Sequence, residues 1–194
     1  MKSLSVIVIL VFGFLSKSFS QSESNLKVIQ NLIDSSSVLI LNKLNKANKI
    51  SVEINTPENL VYLRNSILKS FSEKVKLSDS ADIQLKINLD NVDIKYSKLE
   101  KDGFWGNHRA ERNISISGNY IIYNNSESLA ADDFELSSIS NCLIEELSNL
   151  ENTSLNFTKG KIPEEPFFSG LYEPLIAVSA IAVTIYLFFS VRSK

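Results

Sequence analysis

Two apolar segments at opposite ends of the 194-residue chain constrain its fold more than any other feature. The first runs from Leu4 to Leu15, and the second, which contains no charged residue, runs from Leu175 to Val191. Segments of this length and composition are typical of targeting signals and of membrane-spanning helices. Only the region between them is therefore expected to fold as a globular domain.

The N-terminal segment has the composition of a secretory signal peptide. Lys2 provides a positive charge, an apolar stretch follows, and Ser18 and Ser20 place small residues at positions −3 and −1 of a cleavage site. A retained signal anchor is the alternative, but about a dozen apolar residues are fewer than the roughly 20 that a spanning helix needs. We predict a signal peptide over residues 1–20 and a mature chain that begins at Gln21.

The C-terminal segment predicts a transmembrane helix over residues 174–191. Its seventeen uncharged residues span about 25 Å at 1.5 Å per residue, which is near the lower limit for crossing a bilayer. A core helix or a removable lipid-anchor signal is the alternative, but Pro174 begins the segment, and Arg192 and Lys194 end it with positive charge. The prediction is a single-pass protein of the bacterial inner membrane, with a periplasmic domain, its N-terminus outside the cytoplasm and residues 192–194 inside.

The middle of the chain has the composition of a mildly acidic domain. Between Gln21 and Gly170 it contains 16 Lys and Arg residues against 21 Asp and Glu residues. Nucleic-acid-binding surfaces need a basic stripe, so we do not expect a nucleic-acid partner. Cys142 is the only cysteine, which excludes an intramolecular disulfide, and one histidine argues against a zinc site. We expect neither a metal nor another cofactor.

The spacing of apolar residues predicts helices and strands across this domain. Helices on one face of a sheet bury both apolar surfaces in two layers. We therefore predict an α/β (α+β) fold over residues 21–157, a two-layer sandwich of helices on a mainly antiparallel sheet, followed by a tether at residues 158–173. The predicted order is a helix at Asn25–Lys46, a strand at Ile50–Ile54, a helix after Pro57, strands at Asp82–Tyr96, Ile114–Ile122 and Glu127–Phe134, and a helix at about Ser137–Leu150.

The predicted strand from Asp82 to Tyr96 contains a change of phase. Odd positions are apolar from Ile83 to Leu89, whereas even positions are apolar from Val92 onward. A β-bulge inserts one extra residue into a strand and produces such a shift. We predict a bulge at Asp90 and Asn91, with a break between two strands as the alternative.

The segment from Lys101 to Arg112 lies in a predicted loop and contains the only Trp and the only His of the chain. Loops on rigid scaffolds often carry recognition residues, and Trp and Arg are frequent binding anchors. The alternative is that the Trp packs on the sheet and the arginines stay solvated. The candidate residues for binding a partner or a ligand are Phe104, Trp105, His108, Arg109 and Arg112.

No catalytic motif accompanies these residues in the sequence. Patterns such as Gly-x-Ser-x-Gly, His-Glu-x-x-His, the P-loop and the dinucleotide fingerprint do not occur. His108 could act as a general base, but the sequence does not mark a Ser or Cys nucleophile beside it. We expect a non-enzymatic protein. The alternatives are a membrane-tethered hydrolase that uses His108 and a sensor subunit that acts through a membrane partner.

The stretch from Ile50 to Leu150 combines a strand and an amphipathic helix with the segments SADIQLKINLDNVDIKYS and ISISGNYIIYN, a basic loop between them and a closing helix. This order resembles the lipopolysaccharide-assembly lipoproteins and related small bacterial envelope-assembly accessory proteins. The chain differs from them because no lipobox cysteine follows its signal segment, so no functional residues are transferred. The resemblance implies an envelope protein that binds a protein partner or a lipid-like ligand during envelope assembly or transport.

Overall fold

A computed structural model describes residues 22–44, 48–101, 107–125, 127–162 and 172–192, so the predicted signal peptide lies outside the described residues. The helices are α1 (Asn25–Asn42), α2 (Leu63–Ser72), α3 (Leu147–Leu150) and α4 (Tyr172–Arg192). Short 3₁₀ turns occur at Glu58–Leu60, Ile144–Glu146 and Asn156–Thr158. The strands are β1 (Lys49–Asn55), β2 (Lys76–Leu77), β3 (Ile83–Lys101), β4 (His108–Asn124) and β5 (Glu127–Leu143).

The strands form a mixed sheet in the order β2-β1-β3-β4-β5, which curves as a half-barrel. β1 pairs in parallel with both β2 and β3, whereas β3, β4 and β5 pair antiparallel. Parallel neighbours need a crossover connection, and α2 supplies it between β1 and the strands that follow. The predicted two-layer sandwich on a mainly antiparallel sheet is therefore corrected to a mixed half-barrel with helices.

The second correction to the predicted fold concerns the C-terminal helix. Within the described ranges, which include α4, no helix is both long enough and apolar enough to cross a membrane. The predicted transmembrane helix over residues 174–191 is therefore wrong, and the single-pass anchoring that depended on it has no support.

The core lies between the sheet and helices α1 and α2. Ser24 begins α1 by accepting a hydrogen bond from the backbone N–H of Lys27 at 3.3 Å, as an N-cap residue does. α1 packs on β4 and β5, while α2 packs on β1 and on α1, where the hydroxyls of Ser37 and Ser70 lie 2.7 Å apart. Fully buried side chains of this core include Ile29, Ile33, Ile50, Leu63, Phe71, Leu85, Ile114 and Ile116.

The predicted bulge in β3 is confirmed. Leu89 pairs with Gly118 and Asn91 pairs with Ser117, so one residue of β3 has no counterpart on β4. The strand continues through this point, and Leu89 before it and Ile94 after it are both buried. The extra residue thus keeps apolar side chains on the core face although the sequence phase changes.

The predicted helix at Ser137–Leu150 is wrong in its first half. β5 continues to Leu143 and pairs with β4 as far as Arg109, and α3 contains only Leu147–Leu150. Pairing with β4 satisfies the backbone groups of this segment along a strand that is already in place. Ile139, which lies in the first half of the predicted helix, is 65% exposed on β5. Tertiary pairing has overridden the local pattern here.

Candidate functional site

The end of the β3–β4 hairpin contains the residues predicted to bind a partner. Phe104 and Trp105 fall outside the described residues. His108 is the first residue of β4 and pairs with Lys101, and Arg109 pairs with Glu100 on one side and with Leu143 on the other. The described part of the candidate site therefore consists of β4 residues held between two neighbouring strands.

His108 contacts the 3₁₀ turn that follows β5. Its backbone N–H donates a hydrogen bond to Oε1 of Glu145 at 3.2 Å, and its Nδ1 lies 4.0 Å from the same oxygen. Both side chains are partly exposed. Among the described residues, no hydroxyl or thiol is hydrogen-bonded to the His108 ring. This geometry can orient an imidazole at a surface, but it does not supply an activated nucleophile.

Arg109 and Arg112 point to opposite faces of the sheet, because side chains alternate along a strand. Arg109 is exposed, whereas Arg112 is only 2% exposed and lies on the core face with Ile114 and Ile116. The structure therefore does not bring the two arginines together. A binding role for any of the five candidate residues stays a prediction.

Arg112 lies at the centre of a group of polar residues that we call the buried polar cluster. Asn25, Tyr96 and Arg112 are its buried members, and Ser140 and Glu151 are half-buried at its margin. The Nη1 atom of Arg112 donates to the carbonyl oxygen of Glu23 at 2.7 Å and to Oδ1 of Asn25 at 2.9 Å. Its Nε donates to Oγ of Ser140 at 3.0 Å. A buried guanidinium is stable only when its donors find partners, and these three acceptors satisfy three of its five N–H donors.

Asn25 and Tyr96 extend the buried polar cluster to the segment after α3. Nδ2 of Asn25 donates to the Tyr96 hydroxyl at 2.9 Å and to the carbonyl oxygen of Thr158 at 2.8 Å. The Tyr96 hydroxyl donates to Oε1 of Glu151 at 3.1 Å, and the N–H of Gly160 donates to the same oxygen at 2.9 Å. The cluster thus joins the start of α1 to three strands and to residues 151–160.

The charges of this cluster are separated by neutral groups. Burial, together with the nearby Glu151 carboxylate, raises the pKa of Tyr96 to about 12, although the hydrogen bond from Asn25 acts in the opposite direction. The phenol therefore stays protonated and can donate to that carboxylate. The positive charge of Arg112 is therefore linked to the negative charge of Glu151 through Asn25 and Tyr96. Such a chain of hydrogen bonds rigidifies the structure when every member is satisfied.

Cys142 lies next to this cluster and has the properties of a core residue. It is buried, and its Sγ donates to the carbonyl oxygen of Ala110 at 3.7 Å. Burial raises the pKa of the thiol, although the Arg112 charge acts in the opposite direction. A protonated, buried thiol is a poor nucleophile. Cys142 therefore adds no catalytic group to the hairpin end.

Most members of the buried polar cluster were not identified from the sequence. The sequence pattern did indicate burial of Arg112 and Tyr96. Each stands at a strand position where the alternation places an apolar residue, two residues from Ile114 and Ile94 respectively. Asn25, Ser140 and Glu151 carried no such signal, because they meet Arg112 and Tyr96 only in the folded chain. The alternation of a strand can reveal a buried polar residue but not its partners.

Two surface clefts lie away from the hairpin end. One, of about 310 Å³, separates the start of α1 from residues 148–153, and the other, of about 130 Å³, lies between α1 and α2. Their linings are mostly polar and include Glu151 and Asn152 in the first and Lys27 and Lys69 in the second. Neither cleft is an apolar cavity that could enclose an acyl chain.

The sequence matches no protein-family model and no curated protein. Solved structures similar to this chain include rare lipoprotein B from Shewanella oneidensis, at 15% identity over 75% of this chain and 95% of that chain, with a TM-score of 0.29. A neuraminyllactose-binding hemagglutinin homolog from Helicobacter pylori is 13% identical over 52% of this chain and 67% of that chain, with a TM-score of 0.33. A minor lipoprotein from Acinetobacter baumannii is 12% identical over 57% of this chain and 80% of that chain, also with a TM-score of 0.33. The predicted likeness to bacterial envelope lipoproteins is thus found only at low identity, and nothing about a ligand or partner follows from it.

Proposed function

We propose that this chain is a non-enzymatic binding protein of the bacterial cell envelope that recognises a protein partner in envelope assembly or transport. The surface that would bind is the end of the β3–β4 hairpin. The observation that carries the proposal is the position of His108 and Arg109, which lie at this end within three to four residues of the buried Arg112. The predicted signal peptide over residues 1–20 supports a location outside the cytoplasm.

The buried polar cluster supports binding because it immobilises the base of the hairpin. Arg112 connects β4 to Ser140 of β5 and to the start of α1, and Tyr96 connects β3 to Glu151. A recognition surface on a rigid base loses less conformational entropy when a partner binds. His108 and Arg109 would therefore contact a partner while β4, the strand that carries them, is already held in place.

A protein partner fits these observations better than a lipid-like ligand. Exposed Arg109 and partly exposed His108 and Glu145 place groups of both signs at the hairpin end. Mixed charges of this kind suit the polar rim of a protein interface. A lipid-like ligand would need an apolar groove, whereas the two clefts formed by α1 with its neighbours, both within the described part of the chain, are mostly polar.

Catalysis by His108 receives less support. A nucleophile and its base must lie within hydrogen-bond reach of each other, and in the described residues His108 contacts Glu145 but no hydroxyl or thiol nucleophile. A hydrolase would lose its turnover in a His108→Ala variant. Such a loss, measured on any substrate, would contradict the proposal of a non-enzymatic protein.

The proposal is tested by site-specific photocrosslinking in intact cells. A photoreactive residue replaces Arg109 in one strain and Lys69, an exposed residue of α2, in the other. We expect a defined envelope protein to be crosslinked from position 109 only. Purified wild-type chain and a Lys69→Ala variant should compete for that protein, whereas a His108→Ala, Arg109→Ala double variant should not. Equal crosslinking from both positions would refute a role for the hairpin end.

A further inference from the structure

The larger of the two surface clefts lies between the start of α1 and residues 148–153, and its volume is about 310 Å³. Cavities that bind small molecules start at about 300 Å³, so this cleft has room for a small ligand or for one side chain of a larger one. Among the described residues that line it, Glu151 is the only charged one. The charge of the cleft therefore favours a ligand that carries a cation.

The buried polar cluster holds the Glu151 carboxylate by one of its two oxygens. Oε1 accepts hydrogen bonds from the Tyr96 hydroxyl at 3.1 Å and from the backbone N–H of Gly160 at 2.9 Å. Oε2 is accessible to solvent, and in the part of the chain that the structure describes neither a hydrogen-bond donor nor a cation contacts it. The cluster thus fixes the orientation of the carboxylate while Oε2 stays open to a ligand.

The rest of the cleft lining combines apolar surface with neutral polar groups. Leu26 of α1 and Leu150 of α3 contribute the apolar surface, and Ser148 and Asn149 contribute a hydroxyl and an amide. A cation on a short aliphatic stem fits such a lining, because its methylene groups can cover apolar surface while its charged end stays among polar groups. The stem would lie on the leucines when the charged end reaches Glu151.

An ammonium group fits the available oxygen better than a guanidinium group does. A guanidinium binds a carboxylate best through two parallel hydrogen bonds, one to each oxygen. Two donors of the protein already occupy Oε1 of Glu151, so a ligand has only Oε2 at its disposal. An ammonium is a compact charge whose three donors can be shared between Oε2 and nearby neutral oxygens.

We propose that this cleft binds an aliphatic primary ammonium group, carried by a free amine or by a lysine side chain. The ammonium pairs with Oε2 of Glu151, and the methylene chain lies on Leu26 and Leu150. The hydrogen bonds from Tyr96 and Gly160 orient the carboxylate before a ligand arrives, which lowers the entropy cost of binding. This inference uses no residue of the hairpin end and does not depend on the function proposed for it.

Titrations of the ¹⁵N-labelled full-length chain, followed by NMR, test the ligand chemistry. The probes are pentylamine, Nα-acetyl-lysine methylamide and, as a neutral control of the same length, 1-pentanol. We expect saturable shifts of the Glu151 and Gly160 backbone N–H signals with one or both amines and none with the alcohol. Shifts with the lysine derivative alone would identify a protein side chain as the source, and shifts with pentylamine alone a free amine. No saturable shift with either amine, or equal shifts with pentanol, would overturn the proposal.

The Glu151→Gln variant tests the role of the charge. Its amide oxygen can still accept from Tyr96 and Gly160, but the negative charge is lost. We expect the Kd of the amine to rise about tenfold or more, because a hydrogen bond to a charged group is replaced by a neutral one. Glu135→Gln is the matched control, since Glu135 is exposed on β5 and outside the cleft. An equal Kd in the two variants would overturn the proposal.

A second pair of variants keeps the test valid if Glu151→Gln fails to fold. Ser148→Lys introduces a competing ammonium at an exposed position of the cleft lining. It should raise the Kd of the added amine about fivefold or more, because an intramolecular competitor has a high effective concentration. Ser154→Lys adds the same charge at an exposed position outside the lining and should change the Kd less than about twofold. Equal effects of the two lysine variants would contradict binding in this cleft.

Discussion

The two ends of the sheet are held together by different forces. Where β1 pairs with β3, the apolar side chains of Ile50, Leu85 and Phe71 are fully buried between the sheet and α2. At the opposite end, near the candidate site, Arg112 and Asn25 are buried and joined by directional hydrogen bonds. One end is therefore held by apolar packing, whereas the other contains a buried charge, Arg112, that is held by hydrogen bonds.

The two ends should therefore respond differently to substitution. Apolar packing is non-directional, so its loss depends on the volume removed and on the cavity left behind. A buried polar cluster is directional, and removal of one member leaves its partners unsatisfied at a cost of about 1–3 kcal/mol each. The polar end therefore stabilises a specific arrangement of distant segments.

The largest effect is expected at the apolar end. Phe71→Ala should lower the free energy of unfolding by about 3–5 kcal/mol, because Phe71 is fully buried and alanine would leave a cavity. Leu68→Ala, on the same helix but 42% exposed, should cost about 1 kcal/mol or less. Chemical denaturation of both variants checks the prediction. Similar losses in the two would mean that α2 does not pack as described.

At the polar end, Arg112→Met should lower the free energy of unfolding by about 3 kcal/mol. The variant leaves the carbonyl oxygen of Glu23 and Oδ1 of Asn25 without their Arg112 donor. Arg109→Met, three residues away and exposed, is the control and should cost about 1 kcal/mol or less. If both variants are equally stable in denaturant titrations, the cluster does not hold this end together.

The Gly160→Ala variant tests how closely the segment after α3 approaches β3. A Cβ at this position would lie 2.6 Å from Cε2 of Tyr96 and 2.9 Å from the carbonyl oxygen of Ile94. We expect a loss of about 2 kcal/mol in the free energy of unfolding, because the segment must move away from the strand. Lys159→Ala, at the exposed neighbouring position, should change stability by about 0.5 kcal/mol or less. Equal thermal stability of the two variants would contradict this contact.

The smallest effect at neutral pH is expected for Tyr96→Phe, which should cost about 1 kcal/mol by removing one hydroxyl from the cluster. The folded-state pKa of Tyr96, about 12, lies above the ordinary value of 10.0. The contribution of the neutral phenol is therefore complete below pH 10 and is lost as the pH rises toward 12. The stability difference between wild type and Tyr96→Phe should shrink over this window. A constant difference from pH 8 to pH 12 would show that the phenol is not buried.

Local periodicity was sufficient to predict several individual elements but not the arrangement of the sheet. α1 begins at Asn25 as predicted, β1 contains the predicted strand Ile50–Ile54, and the bulge at Asp90–Asn91 follows from the change of phase. These features depend on residues close together in the sequence, so a repeat of 3.6 or 2 residues reveals them. The parallel placement of β1 and the strand at Ser137–Leu143 depend on partners elsewhere in the chain, and no local repeat encodes them.

The alternation of apolar residues from Ile114 to Ile122 was enough to predict that part of β4, but the sequence interpretation left Arg109 and Arg112 in a loop before it. The structure extends β4 back to His108, and this extension places Arg112 on the face of Ile114 and Ile116 and Arg109 on the other. The groups that accept hydrogen bonds from the buried Arg112 are likewise known only from the folded structure. Its acceptors come from Glu23 and Asn25, 87 to 89 residues away, and from Ser140, 28 residues away. Side-chain alternation is a property of the local backbone, whereas hydrogen-bond partners of a buried charge are chosen when distant segments pack together.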